Sequence, residues 1–378
     1  MPATKKRLKY MDMFRGISVI TMVFYHLLSP SVLKTVTNHL TSPLLLSFFV
    51  ISGFFFTPGK RSVSEAIRLR SAALLKPFFQ YSLLFWLIGS VYLTASGGVT
   101  ILEALGCLRN FYAGCIWNRV IQDLFHWPYY SLGSRYPFLA PFWFLPAMML
   151  GSILFFPIAE KVLPSVKKTA AAILALFAVT GVLRYCSISL AYNFQLAPFW
   201  CACMLSGALA ASVKAFDLPG FSDGKKWLVF LFFLALGSAL TARFEPAVNL
   251  FRGTFVQGRE VQSMLEVISS SFCFIFGLAG VLKLLEEKGY EGKALVFCGV
   301  ESMDIFIFHM FFAWVLSILT GIPLKAAESG TAAFLRSLFL VFGSFALCIG
   351  VPFLRKKLRN QQAAPEEGQK TAADTKKE

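Results

Sequence analysis

The chain has 378 residues, of which 56% are hydrophobic, 16% aromatic and only 15% charged, with a formal charge of +16 and a mean hydropathy of +0.64. Apolar runs this long and this numerous exclude a string of soluble domains and imply a membrane protein lodged in a lipid bilayer. The basic residues form no stripe with interleaved aromatics, which excludes nucleic acid as the partner; they gather between the apolar runs instead.

Ten apolar segments follow in chain order: 13–29, 42–57, 73–95, 142–159, 170–190, 197–213, 227–242, 264–282, 295–319 and 332–354. They predict an all-α, polytopic integral membrane protein of about ten transmembrane helices. The second and seventh hold about 16 residues, so each would need tilt or a locally thinned bilayer to span. Lys and Arg crowd alternate connections. Lys5, Lys6, Arg7 and Lys9 precede the first run, Lys60, Arg61, Arg68 and Arg70 lie before the third, and Arg355, Lys356, Lys357 and Arg359 follow the last. By the positive-inside rule both termini are expected in the cytoplasm. No small-residue cleavage pattern ends the first run, which reads as a retained helix. Residues 1–354 form the expected membrane domain, and 355–378 read as a disordered basic cytoplasmic tail. The outer connection 96–141 holds Trp117, His126, Trp127, Tyr129 and Tyr130 and is too apolar for a solvated linker, so short interfacial or re-entrant helices are expected there. The connection 243–263 is polar. The eight cysteines show no ligand-like spacing and suggest no metal site; Cys107 and Cys115 share one connection, and whether they pair stays open.

Three titratable residues in the first run need a reason to be there. Asp12 and Arg15 are three residues apart and can pair on one helix face. His26 lies eleven residues beyond Arg15. On a helix it falls within about 20° of the same face and roughly 16 Å further along the axis. Charged groups on one stripe inside a membrane point to function. The second run carries Ser52 and Gly53, a small-residue packing face, and Trp143 stands at an outer boundary where aromatics anchor membrane proteins. Asp304 and His309 lie deep in the ninth run, where His309 needs an interior partner or a wet cavity.

Tyr10-Met-Asp-Met-Phe-Arg-Gly with His26, then SFFVISGFFF, FWFLP and ESMDIFIFH, occur in this order along residues 7–354. Together they resemble the family-3 membrane acyltransferases, polytopic enzymes that modify sugars and cell-envelope glycans. Met303-Asp304 departs from the small or aromatic pair usual before the last His. The resemblance implies an acyltransferase of the kind transferring groups other than aminoacyl groups, using acyl-CoA, most often acetyl-CoA, from the cytoplasm. The acceptor would be a hydroxyl of a cell-surface or lipid-linked glycan. No permanently bound cofactor is implied, and a bacterial plasma membrane is the expected location. His26, Arg15 and Asp12 would be catalytic, with His26 either a general base or the carrier of an acyl group. Arg15, Arg68, Arg70 and Lys76 would hold the CoA phosphates. Trp143, Ser52, His309 and Asp304 would face substrate. Two other readings stay open: a glycan transporter or flippase on the same bundle, against which the absence of an internal repeat counts, and a membrane N-acetyltransferase of the lysosomal heparan-modifying type, whose first helix carries a similar Asp-x-x-Arg-Gly.

Overall fold

Hydroxyl side chains open several helices. Ser31, Ser62 and Ser165 each accept a hydrogen bond from the backbone N–H three residues on, those of Lys34, Glu65 and Lys168, satisfying a donor that the first turn leaves unpaired. Thr100 and Glu103 form a reciprocal capping box. The computed structural model describes residues 7–113, 135–186, 188, 190–244, 260–324 and 330–363. Among these there is no strand. The helices are α1 Lys9–Leu27, α2 Val32–Phe54, α3 Val63–Ala95, α4 Ile101–Tyr112, α5 Phe144–Val162, α6 Val166–Tyr185, α7 Ala197–Ser212, α8 Asp223–Arg243, α9 Glu260–Glu287, α10 Lys293–Val300, α11 Ser302–Thr320 and α12 Thr331–Ala363. Turns of 3-10 helix, Pro137–Trp143 and Ala191–Leu196, lead into α5 and α7.

Eight of these segments are long and apolar enough to cross a membrane. α1 and α2 fall below that mark because they carry Asp12, Arg15 and His26, and Lys34, Asn38 and His39. Both are nonetheless of membrane length, 19 and 23 residues, and α1 packs against α2, α9, α10, α11 and α12. Polar groups on α1 therefore face protein rather than lipid, the arrangement that a bilayer tolerates. Met13, Phe14, Val19 and Val23 of α1 are almost fully buried. α6 and α8 leave most of their surface outward, toward lipid.

Three boundaries differ from the sequence expectation. α2 starts ten residues before 42, at Val32. Its polar first half satisfies itself locally and across the bundle: Thr41 Oγ1 donates to the Thr37 carbonyl, and His39 Nδ1 lies 3.2 Å from the Thr241 carbonyl of α8. α3 starts at Val63 and absorbs most of the basic connection before it. α8 runs to 21 residues, so neither expected short span is short. The run 295–319 is two helices, broken at Glu301. α12 continues to Ala363, into the stretch 355–378 expected as a disordered tail, and the short helix α4 lies in the connection 96–141. Cys115, Trp117 to Tyr130, residues 245–259 and residues 364–378 lie outside the described residues, and with them the Cys107–Cys115 pairing.

α10 and α1 touch backbone to backbone. A β-carbon on Gly16 would sit 2.1 Å from the Leu295 carbonyl oxygen, and one on Gly299 only 1.8 Å from that of Asp12. Hydrogen is the only side chain that fits at either crossing.

Candidate active site

The start of α1 builds an ion cluster. The Asp12 carboxylate is only 4% exposed. Arg7 donates from Nε to its Oδ2, and Arg15 Nη1 stands 3.9 Å from its Oδ1. The bond to Asp12 holds the Arg7 guanidinium above its ordinary pKa. The Arg15 guanidinium also lies over the Phe55 ring, 5.1 Å from its centroid, a contact that suits a planar cation. Two cations thus share one carboxylate, leaving a net positive charge. They face a cavity of about 740 Å³ whose walls are the turn Phe54–Pro58 after α2, Leu163 after α5, and Ala208, Ala211 and Ser212 at the end of α7. The small residues of α7 make the room. Every wall comes from the end of the bundle where α1 begins and α2, α5 and α7 finish.

Arg70 sits beside this cluster on the inward face of α3. Its Nη2 donates to Ser52 Oγ and its Nε to Ser152 Oγ at 3.3 Å, and no carboxylate pairs with it among the described residues. Ser52 therefore meets a guanidinium. Arg68 and Lys76, expected beside Arg70, are exposed. They lie about 200° and 240° around α3 from it. The basic stretch reads as one patch in sequence only while it is taken for a loop; as a helix it is fanned out, and Arg70 alone turns inward.

At the far end of α1, the rings of His26 and His309 stand 5.4 Å apart, centroid to centroid, tilted by 38°. Tyr25 stacks edge-on against His26 at 5.1 Å, and Lys34 lies over the Tyr25 ring. His309 is 1% exposed, and its Nδ1 lies 2.8 Å from the Phe306 carbonyl oxygen. Asp304 does not join it. Its Oδ1 receives Arg355 Nη2 of α12 at 3.0 Å, so it fixes α11 to α12. Trp143 is buried, with its ring 6.0 Å from Phe144. Between the two ends, Ser18 Oγ of α1 and Ser47 Oγ of α2 lie 2.8 Å apart, both fully buried. The cavity reaches no further along α1 than Arg15.

The parts so far describe a multi-pass helical membrane protein with a cationic cavity at one end of a central helix and paired imidazoles at the other. A family model described as an acyltransferase domain, that of acyltransferase family 3, matches residues 8–351, and the chain belongs to that family. No curated protein and no solved structure matches it. Sequence reasoning did not single out Arg7, whose place five residues before Asp12 is a usable signal once a helix start is set at Lys9. It also missed Ser152 and Arg355, which are brought in from distant helices and carry no local signal.

Proposed function

We propose that the protein is a membrane O-acyltransferase that moves an acyl group, acetyl by preference, from cytoplasmic acyl-CoA to a hydroxyl of a cell-surface or lipid-linked glycan. Its setting is taken to be a bacterial plasma membrane, with both termini in the cytoplasm. The observation that carries this reading is the His26–His309 pair at the far end of α1 from the Arg7–Asp12–Arg15 cavity, with His26 on the same face of α1 as Arg15. Guanidinium groups suit phosphates, and a cavity of about 740 Å³ is of ligand size. The donor's reach fits the spacing. From the phosphorus to the sulfur of CoA there are roughly thirteen bonds at about 1.2 Å each when extended, or ~15 Å. The rise from Arg15 to His26 is roughly 16 Å. With phosphates at Arg7 and Arg15, and Arg70 close by, the extended arm is long enough for the thioester to reach the imidazoles once the bundle opens past Arg15, where the cavity ends, and His26 then acts as general base toward the acceptor hydroxyl.

The experiment is mass spectrometry of envelope glycans from cells carrying the wild-type gene, no gene, or His26→Ala. Loss of one acyl mass increment without the gene and with His26→Ala, at equal protein level, is expected. Unchanged acylation with His26→Ala refutes this assignment of the base, and unchanged acylation without the gene refutes the function.

A further inference from the structure

An imidazole with one nitrogen turned to carbonyl oxygens has no choice of tautomer. His309 Nδ1 lies 2.8 Å from the Phe306 carbonyl oxygen and 3.1 Å from that of Ile305. Carbonyl oxygens only accept, so Nδ1 carries the hydrogen. The lone pair of the neutral ring is then on Nε2. That atom is buried and has no hydrogen-bond partner among the described residues. An unmet buried acceptor is unfavourable, and a buried imidazolium without a partner is more so. A basic nitrogen kept in this state beside a second imidazole at 5.4 Å is poised to receive a hydrogen.

We propose that His309 is the positioning residue of the acyl transfer: its Nε2 receives an N–H of His26 and so fixes His26 in the tautomer whose other nitrogen faces the acceptor hydroxyl. This rests on the acyl-transfer reading above. The step balances without a further reactant. The hydroxyl proton passes to the other ring nitrogen of His26, and the hydroxyl oxygen bonds to the thioester carbonyl carbon. The carbon–sulfur bond then breaks, and the departing CoA thiolate takes the proton back from the imidazolium. His309 holds one nitrogen of His26 throughout and changes no charge. It is the orienting third member of a nucleophile–base–orienter set, with a neutral acceptor in place of a carboxylate. Its own orientation comes from the main chain of α11, which makes the relay a property of the helix.

The test uses membrane vesicles from cells expressing the full chain, labelled acetyl-CoA as donor and the acceptors native to those membranes. Initial rates are measured against acetyl-CoA concentration, with protein amount and melting temperature recorded for each variant. His309→Leu removes the acceptor atom at similar volume. It is expected to lower the maximal rate about 10²-fold, the loss typical of a misplaced catalytic group, with the KM for acetyl-CoA unchanged. His309→Gln offers an amide oxygen near the position of Nε2 and is expected to stay within about tenfold of wild type. His309→Asn keeps the polarity but falls short, and should resemble His309→Leu. A wild-type maximal rate in His309→Leu overturns the proposal. So does a fall in His309→Gln as deep as that in His309→Leu with melting unchanged, because the ring itself would then be the base. If His309→Leu fails to accumulate, the comparison of Gln with Asn decides in the same way. No transfer of label by wild-type vesicles overturns the acyl-transfer reading itself, a result distinct from transfer that is indifferent to residue 309.

Discussion

The crossing of α10 over α1 gives a sharp test of how the site is held. In Gly299→Ala the new methyl carbon would lie 1.8 Å from the Asp12 carbonyl oxygen. A carbon and an oxygen come to rest at about 3.3 Å, so the two backbones must part by roughly 1.5 Å. The neighbour is main chain and cannot swing away, so the helix moves. Overpacking of this kind costs about 1–3 kcal/mol. At about 2–4 °C per kcal/mol for a chain of this order of size, the apparent melting temperature should fall by roughly 2–12 °C. Acyl transfer should fall further than stability alone accounts for, because α10 runs through Glu301 into α11, which carries His309. The assay is thermal unfolding of purified protein in detergent, followed by transfer in vesicles well below the melting point. Gly350→Ala on α12 is the control. A β-carbon there meets nothing within 4 Å, and alanine is a better helix former than glycine by up to about 1 kcal/mol. If Gly299→Ala melts within a degree of Gly350→Ala, the backbone contact does not hold the site.

Two further outcomes are expected. Arg7→Ala removes one guanidinium from the cavity, but Arg7 is 58% exposed, so screening limits the effect. Binding of CoA, measured calorimetrically at low salt, should weaken about three- to tenfold, and the gap from wild type should narrow in ~0.5 M salt; equal affinities at low salt would remove Arg7 from the donor site. The Glu103 carboxyl is held below its ordinary value, first by the Thr100 backbone N–H and then by Arg135. A depressed carboxylate stabilises its helix start above the unfolded-state value, and that contribution is lost as pH falls through the folded one. Amide exchange of α4, corrected for intrinsic rates, should therefore quicken as pH drops below the ordinary carboxylate range. In Glu103→Gln that dependence should vanish; its persistence would place the titrating group elsewhere.

What could be read from the sequence was whatever one helix contains. Arg15 and His26 share a face because the helical period fixes it, and no tertiary contact is needed. Asp12 with Arg15 follows from the same spacing. The inward place of Arg70 was not legible while residues 58–71 passed for a loop: the Ser62 cap that extends the helix is a local signal, but it competes with a run of charge. Polar residues near the start of α2 misled in the same way, since Asn38, His39 and Thr41 look solvated until α8 is beside them. The pairing of His26 with His309, of Asp304 with Arg355 and of Arg70 with Ser152 joins residues far apart in the chain. Periodicity carries no information about such pairs. The break at Glu301 left the apolar run intact, and so left no mark in composition.

The two glycine crossings also bear on how far the cationic end of the site can shift. Gly16 against Leu295 and Gly299 against Asp12 are contacts of main chain on main chain, about one turn apart along α1. Backbones meshed at two such points cannot roll past each other by adjusting a rotamer. α1 and α10 are therefore held in one register, and α11 starts directly after the break at Glu301. A shift of the cationic end of α1 must therefore carry the backbone of α10 with it, because no side-chain rearrangement at either crossing can make room.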